Sequence, residues 1–166
     1  AITKIALGKK DVPKELVIVG LKKLFSLDPF TESERESMIE AVLKHSEINK
    51  PDDSDVVVAL KDADRLTCAE ARDIMEVPRF WRELPILDPK WMVSDPEANP
   101  YRNPKSCLKY LECGYEWLDP NSKVCVRLPK AKELMQRRVD FYRRYIQEVV
   151  EQREEIGLWP DYPFES

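Results

Sequence analysis

Apolar residues recur at helical spacing through most of the first 75 positions. Between Lys14 and Phe25, Leu16, Val17, Leu21, Leu24 and Phe25 surround Lys22 and Lys23, which predicts an amphipathic helix entered through Pro13. Gly20 weakens that helix by about 0.5 to 1 kcal/mol relative to alanine, and its lack of a side chain suits the close approach of a neighbouring helix. Thr31 and Glu34 stand at capping-box spacing and open a second helix. Met38, Ile39, Val42 and Leu43 form its inward stripe, and His45, seven residues after Met38, returns to nearly the same face at the helix end.

The polar stretch from Ser46 to Ser54 contains Pro51 and reads as a loop, with Asp53 or Ser54 capping a third helix. Val56-Val57-Val58 lean towards strand by propensity. The continuation through Leu66, with Val57, Leu60, Asp64 and Cys68 spaced three, four and four apart, favours a buried helix reaching to about Met75, before Pro78. Asp64 therefore falls on the apolar stripe, where an ionised carboxylate needs a cation, hydrogen bonds or a metal ion. Asp62 lies about 200° further round the helix. Asp62 and Asp64 cannot both ligate one ion without distortion, and Asp64 is the one expected to face inward.

From Val77 to Pro129 the texture changes, with eight of the thirteen prolines and three of the four tryptophans. Long regular elements do not survive such spacing. A short helix is expected over Lys105 to Glu112, opened by Asn103-Pro104 and stopped by Gly114. Glu116-Trp117-Leu118 and Val124 to Leu128, joined by Asp119-Pro120-Asn121-Ser122, read as a small β-hairpin. From about Lys130 to Glu155, Met135, Val139, Tyr142, Ile146 and Val149 form a heptad seam on one long helix, with Arg144 and Glu148 a favourable four-apart pair. The expected architecture is one all-α domain: a helical core over 1–76, a Pro- and aromatic-rich insertion or lid over 77–129, a long helix over 130–156 and a tail over 157–166.

Composition narrows the function classes. A 43% hydrophobic, 35% charged chain of 166 residues is an ordinary globule. A net charge of −4 disfavours nucleic acid as the main partner, and no apolar run is long enough to span a bilayer. The first residues lack the apolar stretch of a secretion signal, so a cytoplasmic location is expected. Four cysteines fit free thiols, and the spacing of Cys107, Cys113 and Cys125 is not that of a zinc ribbon. Trp81, Trp91, Tyr101, Tyr110, Tyr115 and Trp117 either stack a nucleobase or join the irregular region to the core.

Ala41-Val42-Leu43-Lys44-His45-Ser46 followed by Asp62-Ala63-Asp64-Arg65-Leu66 gives the chain from Val12 to Leu66 a family resemblance. In order and spacing it resembles the second half of the HD-domain metal-dependent phosphohydrolases, in which a helix ending in an inward histidine precedes one bearing Ala-Asp-Arg-Leu. The resemblance implies an HD-like helical bundle and a divalent ion (Mn, Mg, Zn or Fe) held by Asp64. It places His45 on a metal or on substrate phosphate, Lys44 on the phosphate, and Arg65 beside an acid that it orients. The implied substrate is a small phosphorylated molecule, nucleotide-like, hydrolysed by metal-activated water.

The family's first histidine and its His-Asp pair are absent, because His45 is the only histidine. Either those ligands lie upstream of Ala1, or this is the fold without the chemistry: a non-catalytic HD-like module for binding, or for homodimerisation through the carboxyl-terminal seam. An oxygenase using the same fold with two irons ranks third. Asp64 paired with an arginine of the last helix, and His45 as an ordinary helix-end histidine, are the corresponding structural readings.

Overall fold

The structure is a computed structural model that describes residues 13–26, 29–87 and 103–158. Ala1, Val12, Trp91, Tyr101 and the tail beyond Leu158, all named above, lie outside the described residues. The described residues are mostly helical and contain no β-strand. None of their helices is long and apolar enough to cross a membrane. The chain divides into two compact units, Ala1–Lys61 and Asp62–Ser166.

In the first unit, α1 spans Lys14–Phe25 and packs on α2, Glu32–Lys44. Pro13 precedes the first turn of α1, where its ring fits and its missing N–H is not needed. Thr31 opens α2 with a complete capping box: its Oγ1 accepts the N–H of Glu34 at 3.3 Å while its own N–H donates to Glu34 Oε2 at 2.7 Å. Ile39 and Ala41 are buried on α2, with Met38, Val42 and Leu43 half-buried beside them. A loop then leads to α3, Asp55–Thr67, whose first turn closes from Val58 N–H to the Ser54 carbonyl at 2.9 Å. The boundary between the two units falls within α3.

The third helix ends sooner than its apolar pattern predicts. After Thr67 the chain turns, with Ala69 N–H bonded to the Leu66 carbonyl at 3.1 Å, and a separate helix α4 begins at Asp73 and runs to Phe80. The turn is held from two directions. Asp73 Oδ2 accepts the Glu70 N–H at 2.9 Å, and Tyr142 donates its hydroxyl to the Glu70 carbonyl at 2.7 Å. Pro78 lies inside α4 rather than beyond a helix end, tolerated in an eight-residue element where only one intrahelical bond is forfeited.

The expected hairpin is not formed. Residues Cys107–Tyr110 and Cys113–Leu118 are the short helices α5 and α6, so the segment assigned to the first strand is helical. The chain does reverse as expected, and Val126 N–H meets the Trp117 carbonyl at 2.8 Å. That bond serves one of the orphan carbonyls at the end of α6 instead of starting a ladder. Gly114 does not stop a helix either. It sits inside α6, where an added Cβ would lie 2.7 Å from Val139 Cγ2, so it is the point at which α6 approaches the last helix.

That last helix, α7, covers Pro129–Glu155 with the predicted seam inward. Met135, Val139, Tyr142 and Ile146 are buried with Leu108, Leu111, Cys113, Trp117 and Val126 in the core of the second unit. The seam proposed above for homodimerisation is therefore spent on the chain's own core.

Candidate functional site

The segment from Lys61 to Leu66 presents a different face from the one its apolar residues predict. Val57, Lys61, Asp62, Arg65 and Ala69 are buried, whereas Asp64 is half-buried. The hydrophobic phase put Asp64 inward, whereas the charges that are buried are those of Lys61, Asp62 and Arg65, met largely by groups distant in sequence.

Lys61, fully buried, donates from Nζ to the Ile48 carbonyl at 2.8 Å and to Asp53 Oδ2 at 2.9 Å. Asp53 Oδ2 also accepts the Lys50 N–H at 3.0 Å, so one carboxylate shapes the loop and neutralises the lysine. Asp62, 1% exposed, accepts the N–H groups of Arg127 and Leu128 on Oδ2, each at 2.8 Å. Leu128 is the residue before α7, so the carboxylate sits where the free amides and the helix dipole both favour an anion.

Asp62 Oδ1 lies 3.5 Å from Arg65 Nη1, which donates to the Cys125 carbonyl at 3.0 Å. Burial lowers the pKa of Arg65 and Asp62 beside it opposes that shift, leaving a guanidinium that stays charged. The acid that stands beside Arg65 is Asp62.

Asp64 is differently placed. Its backbone carbonyl accepts the Thr67 hydroxyl at 2.7 Å and the Cys68 N–H at 3.1 Å. Its carboxylate makes no hydrogen bond or ion pair among the described residues. The arginine of the last helix offered by the alternative structural reading does not meet it: Arg138 donates to the Leu66 carbonyl instead.

His45 and Lys44 belong to the first unit. His45 caps the carboxyl end of α2, half-buried, with Nδ1 2.6 Å from the Val42 carbonyl. A carbonyl only accepts, so Nδ1 carries the hydrogen, and in the neutral ring Nε2 keeps its lone pair. Lys44 Nζ is 2.6 Å from Glu40 Oε1, and that bond raises the lysine pKa.

Among the described residues no group of three or more His, Cys, Asp or Glu side chains is arranged to hold a metal ion. His45 in the first unit and Asp64 in the second each fall short of the three or four protein ligands that a zinc-type ion takes, so the described residues do not by themselves fit the ion that the resemblance implies. The cysteines are free thiols. Burial pushes Cys68 up to about 11 and raises Cys113 further, which keeps both protonated and unreactive at neutral pH.

The buried pair of Asp53 and Lys61 and, separately, the buried Asp62 escape sequence reasoning, since nothing in local spacing announces partners eight, 65 and 66 positions away. Comparison with family models, curated proteins and solved structures finds no significant match to this chain.

Proposed function

We propose that this chain is an HD-type metal-dependent phosphohydrolase acting on a nucleotide or another phosphate ester, with Asp64 as a ligand of the divalent ion. The observation that supports this reading is the contrast between two aspartates on one helix. Asp62 is consumed by two backbone amides and stands beside Arg65, whereas the half-buried carboxylate of Asp64 is engaged by no hydrogen bond or ion pair among the described residues. A carboxylate spared from structural work in a motif of this kind is available to a cation.

His45 supports the same reading from its own unit. An Nδ1–H held by a backbone carbonyl presents Nε2, the arrangement by which outer-shell carbonyls orient metal-binding or phosphate-binding histidines. Lys44, tied to Glu40, is a weaker phosphate contact than the resemblance implies. The reading requires ligands beyond Asp64 and His45, which are too few donors for an ion.

Metal content of the protein purified without chelator, with hydrolysis of nucleoside monophosphates, tests the proposal. Asp64→Asn is expected to abolish metal uptake and hydrolysis while leaving the melting temperature unchanged. A full-length protein that takes up no divalent metal and hydrolyses no phosphate ester refutes the enzyme reading. That result favours a non-catalytic helical module.

A further inference from the structure

A groove of about 510 Å³ in the second unit is lined by Ala71, Leu134, Arg137, Arg138, Phe141 and Arg144, with Asp140 on its wall. We propose that it binds a small phosphorylated molecule with a planar ring, of the nucleotide class. The size lies within the range of small-molecule sites. The charge is local: three guanidiniums face one carboxylate on a chain whose overall charge is negative.

The arginines are differently employed. Arg138 is anchored by its bond to the Leu66 carbonyl, which fixes the wall. Arg137 and Arg144 are exposed and make no hydrogen bond or ion pair among the described residues. The four-apart partner expected for Arg144 is otherwise engaged, since Glu148 accepts from Gln152 Nε2 at 2.7 Å. Asp140 accepts from Gln136 Nε2 at 2.8 Å and lies 3.6 Å from Arg143 Nη1, so its charge is largely met from its own helix. Unpaired guanidiniums are fork-shaped donors suited to phosphate.

Phe141 supplies the second half of the recognition. It stands four residues after Arg137 and three before Arg144, hence on their face of α7, and 36% of it is exposed. Half-buried Leu134 lies seven residues, about two turns, before it, on the same groove. An exposed ring between two free guanidiniums offers a stacking surface for a flat aromatic group and phosphate donors on either side. Bare phosphate uses only the arginines. A nucleotide uses all three residues, which is why the nucleotide class is the preferred ligand. None of the lining residues is Asp64 or His45, so the inference does not rest on the metal reading.

Titration calorimetry of the full chain with adenosine monophosphate, and separately with inorganic phosphate, tests it; EDTA in the buffer removes any contribution from a metal at Asp64. Binding of the nucleotide is expected to weaken with added salt. Arg137→Gln/Arg144→Gln is expected to weaken it about tenfold or more with an unchanged melting temperature. Phe141→Leu is expected to weaken the nucleotide while leaving inorganic phosphate as it was, and the single variant Arg137→Gln to show an intermediate loss. A wild-type chain that does not bind the nucleotide at millimolar concentration overturns the proposal. So does a folded double variant that binds it as well as the wild type.

Discussion

Asp62 and Leu128, 66 positions apart, are joined by a hydrogen bond of 2.8 Å from the Leu128 N–H to the Asp62 carboxylate. The same oxygen takes the N–H of Arg127, and Arg65 stands on the other side of the carboxylate. One buried side chain thereby starts the longest helix and keeps a buried guanidinium in charged company. Asp62→Ala is expected to destabilise the second unit by about 3 kcal/mol, because two amides lose their acceptor and Arg65 loses the carboxylate beside it. Asp62→Asn, which keeps one acceptor oxygen, is expected to cost about half as much. Urea denaturation followed by circular dichroism measures both, and equal stabilities of the alanine variant and the wild type would falsify the role given to Asp62.

The buried pair of Lys61 and Asp53 yields a double-variant test. Lys61→Met leaves the Asp53 carboxylate without its cation and is expected to cost about 3 to 5 kcal/mol. Lys61→Met combined with Asp53→Asn removes both charges and keeps an acceptor for the Lys50 N–H, so most of the loss is expected to return. If the double variant is no more stable than Lys61→Met alone, the ion pair is not what makes the single change costly.

Gly114 is where α6 comes closest to Val139, and the contact has no room for a methyl group. Gly114→Ala is expected to destabilise by about 1 to 3 kcal/mol through overpacking, against the usual helix-favouring effect of alanine. In a Val139→Ala background the same change should cost about 1 kcal/mol less, because the crowded methyl is gone. Four melting curves complete the cycle, and strictly additive effects would show that the close approach is not the cause.

Asp73 governs a pH dependence. Burial raises its carboxyl pKa above 3.8, against the hydrogen bond from the Glu70 N–H, which lowers it. The folded chain therefore holds this proton more tightly than the unfolded chain. Between the ordinary carboxylate value and the raised one, the native state binds more protons, so the contribution of Asp73 to stability declines as pH rises through that window. Asp73→Asn, which keeps an oxygen for the Glu70 N–H, is expected to be more stable than the wild type near neutral pH. Its advantage should shrink towards zero as pH falls below about 4, the ordinary aspartate value. Chemical denaturation at pH 3, 5 and 7 distinguishes this from a constant offset, which would place the effect outside Asp73 ionisation.

Local chemistry was enough wherever an element is decided within a few residues. The bounds of α1 follow from Pro13 and the apolar run to Phe25, the start of α2 from Thr31 and Glu34, and the inward face of α7 from Met135, Val139, Tyr142 and Ile146. In each case the deciding groups are neighbours along one helix, so spacing alone carries the information.

Tertiary structure decided which of two aspartates is structural. The spacing of Val57, Leu60, Asp64 and Cys68 put Asp64 inward and Asp62 outward, yet it is Asp62 that is sealed in, because amides from residues 127 and 128 and the Arg65 side chain compensate its lost hydration. It also decided that Gly114 packs rather than stops a helix, and that 116–118 are helical, since both depend on the surface of α7. The sequence by itself determined that the chain is helical, where several helices begin, and that an acidic motif with a helix-end histidine stands among them. Only the fold could assign the charges, because the price of burying a charge is set by partners that the local sequence does not contain.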